Sequence, residues 1–191
     1  MSLVDRITRA LHAEPPHGLL PGDLDEGHEG EPILAAVLVA ITDRAEPGLI
    51  LTVRHSDLRK HAGQIAFPGG RIDEGETARD AALREAWEEL ALDPAEVRVL
   101  GEADPYRTVT GYGVTPIVGL VPPGLDLVPN PAEVADWFEA PLAFVLDPAN
   151  QRRMSADFRG RTRHYYQIDW QGRPIWGATA AMLVNLTRRA A

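Results

Sequence analysis

The segment 69–92 constrains the fold most, because its pattern predicts a short loop followed by a helix with acidic and apolar residues on different sides. With Arg84 taken as zero and about 100° per residue, three glutamates fall between about 40° and 140°: Glu88, Glu85 and Glu89. Four apolar residues fall at about 200° to 300°: Ala86, Leu90, Leu83 and Trp87. The pattern therefore predicts a helix with a carboxylate face and an opposite core face.

Two interpretations of the carboxylate face are open. Glutamates that share a helical face usually form a solvated surface. Alternatively they hold a divalent cation, which would turn the like-charge cost of roughly 0.2 to 0.5 kcal/mol per pair into binding energy. The flanking residues favour the cation. Small residues one turn earlier leave room beside the acids, Thr77 with Asp80 resembles a capping box, and glycines make the preceding loop adaptable: Ala78, Ala81, Ala82, Gly69, Gly70 and Gly75.

Hard divalent ions prefer carboxylate and carbonyl oxygens. Glu85, Glu88 and Glu89, with a backbone carbonyl near Gly69, supply such oxygens and suit Mg²⁺ or Mn²⁺. The 191 residues carry 28 acids against 19 lysines and arginines, a net charge of −9, which argues against binding to nucleic acid polymers. The absence of cysteine excludes thiol catalysis and disulfides.

The chain alternates strand and helix patterns. Residues 3–12 have helical spacing, and residues 13–32 are rich in proline, glycine and acid, which is typical of a surface linker. Strands are predicted at 33–42, 49–54, 97–100 and 110–121, short helices at 142–146 and 178–188, and a hairpin over 163–176. We therefore expect an α/β fold, with an N-terminal helix and linker at 1–32 and a single enzyme domain at 33–191. With no apolar run of 18 residues and no signal region, we expect a cytoplasmic protein with no membrane contact.

The spacing of the charged residues resembles a known family. Gly70, five residues, Glu76, seven residues and then the run from Arg84 to Leu92 closely resemble the Nudix box, a glycine, a glutamate and REUxEExGU with U aliphatic. Ala86 and Ala91 depart from the pattern, Ala91 where the pattern has glycine. The resemblance implies an α/β/α sandwich with a central mixed β-sheet. It also implies that the box glutamates bind metal, that Arg84 orients a glutamate and that Glu76 supports the loop.

An upstream stretch is similar to the motif of one Nudix branch, the coenzyme A diphosphatases. It contains Leu51, Thr52, Val53, Arg54, Arg59, Gly63, Phe67, Pro68, Gly69 and Gly70, and the run 175–183 also resembles the end of this branch. His55 stands where the branch has a small residue. The resemblance implies hydrolysis of coenzyme A or its derivatives to 4′-phosphopantetheine, or its acyl form, and adenosine 3′,5′-bisphosphate.

The cations of this stretch are either an exposed basic loop or a phosphate clamp. Arg54, Arg59 and Lys60 are candidates for the 3′-phosphate of coenzyme A, because guanidinium groups match phosphate oxygens. Glu133 is either an acid that approaches the metal, as in Nudix proteins, or an acid that complements a helix N-terminus. For four aromatic residues packing is favoured over substrate stacking: Phe67, Tyr106, Tyr112 and Trp176.

Alternative functions are a Nudix hydrolase of another nucleoside diphosphate derivative, such as ADP-ribose, a dinucleoside polyphosphate or a noncanonical dNTP, and a nucleotide-binding module that does not hydrolyse. The sequence leaves open which acid is the general base and whether the chain forms a homodimer.

Overall fold

A mixed β-sheet forms the centre of the fold, as expected. The computed structural model describes residues 1–23, 30–55, 63–158 and 161–191. The described part of the main sheet has the strands β1 (Ile33–Thr42), β2 (Gly48–Arg54), β3 (Ile65–Ala66), β4 (Gly69–Arg71), β5 (Arg98–Glu102), β6 (Tyr106–Arg107), β7 (Tyr112–Val121) and β8 (Val134–Pro141). Their order is β3-β2-β1-β7-β5, with β4 beside β1, β6 beside β7 and β8 beside β2. β1 and β7 are parallel and the other neighbours are antiparallel.

Strand β1 is apolar along almost its whole length because both of its faces are covered. One face contributes Ala35, Val39 and Ile41 to a first core, and the other contributes Ala36 and Leu38 to a second core. Helix α2 (Ala78–Leu90) covers the second core, and α1 (Leu3–Leu11) and α4 (Ala178–Ala190) cover the first. The result is the predicted α/β/α sandwich. Within the described residues, no helix is long and apolar enough to cross a membrane.

Five strands were not predicted, namely the short strands β3, β4 and β6 and the longer strands β8 and β9 (Arg152–Phe158). Residues 134–141 form β8, which follows Asn130 and Glu133, so the interpretation of Glu133 as an acid at a helix N-terminus is wrong. A second sheet contains β9 (Arg152–Phe158), β10 (Arg161–Trp170) and β11 (Arg173–Trp176), all antiparallel. The hairpin predicted over 163–176 is confirmed, and β9 extends it by one strand. The helix predicted at 142–146 is present as α3 (Leu142–Val145).

The N-terminal segment contacts the rest of the chain at specific points. Helix α1 buries Ile7 and Leu11 in the first core. Beyond it, the buried Asn185 of α4 donates to the Leu20 carbonyl at 2.8 Å and accepts from the Leu20 amide at 2.7 Å. Gly22 then pairs with Arg107 of β6. The segment 20–22 is thereby bonded to both α4 and the sheet.

Candidate active site at the glutamate helix

Arg84 of α2 connects the acidic side chains of the predicted site. Its Nε and Nη2 atoms donate to the two carboxylate oxygens of Glu76 at 2.9 and 3.0 Å. Its Nη1 donates to Glu85 at 2.9 Å and to Glu88 at 3.2 Å, and Nη2 also reaches the Arg71 carbonyl at 3.0 Å. The hydrogen bonds to Glu76 raise the pKa of Arg84 and lower the pKa of Glu76. Arg84 therefore stays charged and orients the glutamates, as the resemblance implies.

The two glycines that precede α2 bring backbone against its acids. A Cβ at Gly70 would lie 2.3 Å from Oε1 of Glu85, and a Cβ at Gly69 would lie 2.4 Å from the Ala36 carbonyl of β1. Neither position therefore has room for a side chain. Glu85 is largely buried against this loop, and burial is the main cause that raises its pKa. The sequence predicted an adaptable glycine loop here, but not these contacts with Glu85 and β1.

Glu89 is the most buried acid of the site, with 2% of its surface exposed. Burial raises its pKa to about 8, and the charges of Glu85 and Glu133 add to the effect. Arg54 lies 3.9 Å from Oε1, which is beyond hydrogen-bond distance, so this cation offsets only part of the desolvation. Oε2 has no hydrogen-bond partner among the described residues. A buried carboxylate oxygen without a partner costs free energy and suits a cation.

The orientation of α2 differs from the prediction. Trp87, which was assigned to the core face, is 52% exposed. Ala86 and Leu90 are buried as predicted, but Ala81, Ala82 and Glu89 are buried as well, so the helix contacts the sheet through a sector that contains part of the carboxylate face. The predicted core face is therefore confirmed in part, and its assignment is wrong for Trp87 and Glu89. Alanine permits this rotation, since it fits a tight helix–sheet contact as well as a surface.

The oxygen ligands predicted for a metal lie on three neighbouring segments. Glu85, Glu88 and Glu89 come from α2, Gly69 from β4, and Glu133 from the residue before β8. Across the described chain, no three histidine, aspartate or glutamate side chains enclose a common point. The carboxylates of Glu85 and Glu88 turn toward Arg84 instead. The unpartnered Glu89 oxygen and an all-oxygen donor set nevertheless fit a hard divalent ion.

A cavity of about 750 Å³ lies on the other face of the sheet from α2. Its apolar wall includes Ala35 and Val37 of β1 together with Phe67 and Met182. Glu85 and Glu133 line its acidic margin together with Arg54, and Asp23 lines the cavity beside Tyr106 and Val109. Glu85 belongs to α2, on the opposite face of the sheet. Its carboxylate still lines the cavity, because Gly70 has no side chain to occupy the space between them. An acidic margin thus opens directly onto an apolar wall.

The aromatic residues divide between core and cavity. Phe67 and Tyr106 are each 3% exposed, so the prediction that they pack is confirmed, although Phe67 also borders the cavity. Tyr112 is partly buried against the first core and also borders the cavity. Trp176 is 41% exposed at the cavity margin, so its assignment to the core is wrong. It ends β11, an edge strand of the second sheet, and its ring meets the Tyr165 ring with 5.9 Å between the centroids.

Several cavity residues were not predicted. Asp23 accepts from the Tyr106 hydroxyl at 2.5 Å and from the Val109 amide at 3.0 Å. Arg71 and Tyr112 lie beside each other in the same wall. Arg71 adjoins the glycine pair, and this was the available signal for it. No local pattern marks Asp23, which lies in the segment interpreted as a linker.

The remaining predicted residues lie beside the site or beyond the described chain. Arg59 and Lys60 fall outside the described residues. Gly63 has a φ of +69° and donates its amide to the Arg54 carbonyl at 3.0 Å. A left-handed φ favours glycine, so a backbone role accounts for this position. The His55 amide donates to the Glu133 carbonyl at 2.8 Å, which places the end of β2 next to Glu133.

Fold and site together define a class of protein. It is an α/β sandwich whose glutamate helix, with an orienting arginine and a preceding pair of glycines, borders a cavity of the size typical of small-molecule sites. Sequence comparison then identifies the family. Residues 32–159 match the model of the NUDIX domain, and the chain belongs to the Nudix hydrolase family. Nudix hydrolases generally use divalent metal ions such as Mg²⁺ or Mn²⁺.

Relatives of similar length support this assignment. The chain is 44% identical over 153 residues to "Uncharacterized Nudix hydrolase NudL" of Escherichia fergusonii, which covers 80% of each chain. It is 45% identical over 156 residues to the protein of the same name from Photorhabdus laumondii, covering 81% of this chain and 83% of that one.

Solved structures agree on the fold. The Nudix hydrolase RenU from M. smegmatis superposes with a TM-score of 0.52 at 21% identity, covering 66% of this chain and 81% of that one. A MutT/nudix family protein from Enterococcus faecalis has a TM-score of 0.52 at 14% identity, covering 98% of this chain and 68% of that one.

Proposed function

We propose that the protein hydrolyses the diphosphate bond of coenzyme A or its derivatives in the presence of Mg²⁺ or Mn²⁺. The products are 4′-phosphopantetheine, or its acyl form, and adenosine 3′,5′-bisphosphate. The observation that carries this proposal is the continuity of the acidic margin, with Glu85 and Glu133, and the apolar wall of the 750 Å³ cavity. In coenzyme A a charged diphosphate adjoins an uncharged pantetheine arm, so its site needs such a pair of surfaces.

The position of the upstream motif also supports coenzyme A. Arg54 ends β2 beside Glu89, and Phe67 lies in the cavity wall directly before the Pro68–Gly69–Gly70 turn. The residues that resemble the coenzyme A diphosphatase motif therefore adjoin the box glutamates. We infer that Arg54, Phe67, Gly69 and Gly70 contact substrate, and we retain Arg59, Lys60 and Gly63 as sequence-based predictions.

The proposed metal ligands are Glu85, Glu88, Glu89, Glu133 and the Gly69 carbonyl. A bound divalent ion neutralises charge on the diphosphate oxygens and lowers the pKa of a bound water. Arg84 holds Glu85 and Glu88 in place, and Glu76 holds Arg84. Water adds to a phosphorus atom of the anhydride, one phosphorus–oxygen bond breaks, and the proton from water passes to a carboxylate. Glu85, Glu88 and Glu89 are the candidate acceptors of this proton.

A substrate panel tests the proposal. Purified protein with Mg²⁺ or Mn²⁺ is incubated with coenzyme A, an acyl-coenzyme A, ADP-ribose, a dinucleoside polyphosphate and a noncanonical dNTP, and the products are separated by chromatography. We expect coenzyme A or its acyl form to be cleaved with the highest kcat/KM. Cleavage of ADP-ribose with coenzyme A left intact would reject the substrate and retain the chemistry. Binding of nucleotide without turnover of any substrate would reject hydrolysis.

Variants of the acids test the chemistry. We expect Glu85→Gln and Glu89→Gln each to lower kcat by about 100-fold or more, since acid–base and metal-ligand groups contribute on this order. Glu96→Gln is the matched control, because Glu96 is an exposed glutamate in a 3₁₀ turn after α2. Circular dichroism should show that all three variants remain folded. Equal activity of Glu85→Gln and Glu96→Gln would contradict the assigned site.

A further inference from the structure

We propose that Arg71 and Tyr112 form a separate phosphate-binding pair in the cavity wall, which receives the 3′-phosphate of the adenosine moiety. This inference rests on the proposed function for the identity of the substrate. It assigns the 3′-phosphate to a cation that the sequence motifs do not contain.

Two cations among the described residues line the cavity, and their surroundings differ. Arg54 is only 28% exposed and faces Glu89, so its charge is directed at a buried acid of the site. Arg71 is exposed, and within the described chain it forms no ion pair with an acid. Its contacts are a hydrogen bond from Nη2 to the Tyr112 hydroxyl at 3.3 Å and an approach of the guanidinium to the Tyr112 ring at 5.7 Å. Most of its donors therefore remain available to an anion.

The sheet register places this pair away from the diphosphate position. Along β1, Val37 pairs with Gly69 and Ala35 pairs with Arg71, whereas Ile33 pairs with Tyr112 of β7. At about 3.3 Å per residue, the Arg71 position lies about 7 Å and the Tyr112 position about 13 Å from that of Gly69 along the strand. Arg71 extends toward Tyr112, on the cavity face of the sheet. A phosphate held there is distinct from the diphosphate beside Glu85.

Both residues are fixed by their backbone. The Arg71 carbonyl accepts a hydrogen bond from Arg84 at 3.0 Å, which ties β4 to the glutamate network. The Tyr112 amide donates to the Thr108 hydroxyl at 3.1 Å, and the Thr108 amide donates to the Tyr112 carbonyl at 2.9 Å across a tight turn. The pair is thus held at a set distance from the acids, so it selects ligands by the spacing of their phosphates. The tyrosine hydroxyl can donate to phosphate while it accepts from Arg71.

Binding of products and turnover of substrates test the pair independently. Isothermal titration calorimetry compares adenosine 3′,5′-bisphosphate with adenosine 5′-monophosphate, and kinetics compare coenzyme A with dephospho-coenzyme A. We expect the wild-type protein to favour the ligand with the 3′-phosphate by about tenfold or more, as a charge-assisted hydrogen bond supplies. Arg71→Ala should bring both ratios close to one, and Arg71→Glu should reverse them. Arg98→Ala is the matched control, because Arg98 is an exposed arginine of β5 that forms an ion pair with Asp43.

The outcomes separate this inference from the proposed function. Unchanged ratios in Arg71→Ala, or wild-type ratios near one, would overturn the phosphate-binding pair even if coenzyme A is cleaved. Binding ratios that depend on Arg71 in a protein that leaves coenzyme A intact would support the pair and reject the proposed substrate.

Discussion

Alanine at Gly70 should remove activity and leave the fold intact. The new Cβ would lie 2.3 Å from Oε1 and 2.5 Å from Cδ of Glu85. Ordinary carbon–oxygen contacts are about 3.3 Å or longer, so the carboxylate must move by about 1 Å. A shift of this size in a catalytic group lowers turnover by about 100-fold. The cost to stability is small, because Glu85 can change rotamer for about 0.5 to 1.5 kcal/mol and alanine restricts the unfolded chain.

Gly69→Ala is the matched control, with the opposite expectation. Its Cβ would lie 2.4 Å from the Ala36 carbonyl and 2.7 Å from Cα of Val37, which are backbone atoms of the central strand β1. Backbone cannot turn aside as a side chain can, so we expect a loss of about 2 to 3 kcal/mol, as for other overpacked positions. For a chain of this size the melting temperature should fall by about 5 to 10 °C.

Thermal denaturation and a hydrolysis assay on both variants decide the matter. Gly70→Ala should melt within about 3 °C of the wild type with much reduced kcat, since a change below 1 kcal/mol shifts the midpoint by only this amount. Full activity of Gly70→Ala would refute the claim that the glycine exists to admit the Glu85 carboxylate. Equal destabilisation of the two variants would refute the distinction between side-chain and backbone contacts.

Three further predictions concern stability. Because burial raises the pKa of Glu89 from 4.5 to about 8, the folded state holds a proton that the unfolded state releases. Without divalent ions, wild-type stability to urea should therefore fall by on the order of 3 kcal/mol between pH 5 and 8, and Glu89→Gln should show no such fall. Ala91 ends α2 at φ 53°, so Ala91→Gly should raise stability by about 0.5 to 1 kcal/mol in urea denaturation, and a lowered midpoint would contradict this account. Asn185→Ala should lower the free energy of unfolding by about 2 to 3 kcal/mol, because the Leu20 amide and carbonyl lose their hydrogen-bond partner. Limited proteolysis before Asp23 should become faster, and an unchanged rate would contradict the role assigned to these hydrogen bonds.

Regular sequence patterns predicted most helices and strands, whereas the orientation of α2 and the lining of the cavity depend on residues that are distant in sequence. β1 and α4 were predictable because each is a continuous, largely apolar run, and the glutamates of α2 were predictable from their spacing. The rotation of α2 was not, because alanines are compatible with either face. Arg71, Asp23 and Trp176 meet only after three distant segments close around the cavity, so no local pattern identifies them together.

The burial of α2 runs against hydropathy, and this inversion is evidence of function. Glu89 is buried while Trp87, two residues earlier, is half exposed. Burying a carboxylate without full hydrogen bonding costs several kcal/mol, and leaving a large aromatic ring in water forfeits about 2 kcal/mol more. Turning the helix to bury Trp87 would avoid both costs, yet it would move Glu85 and Glu89 away from the sheet and the glycine loop. Positions where a sequence breaks its own local pattern are those where function outweighs stability. A cation at the unpartnered Glu89 oxygen would offset this cost, so the inverted burial supports the proposed ion site without reference to the motif.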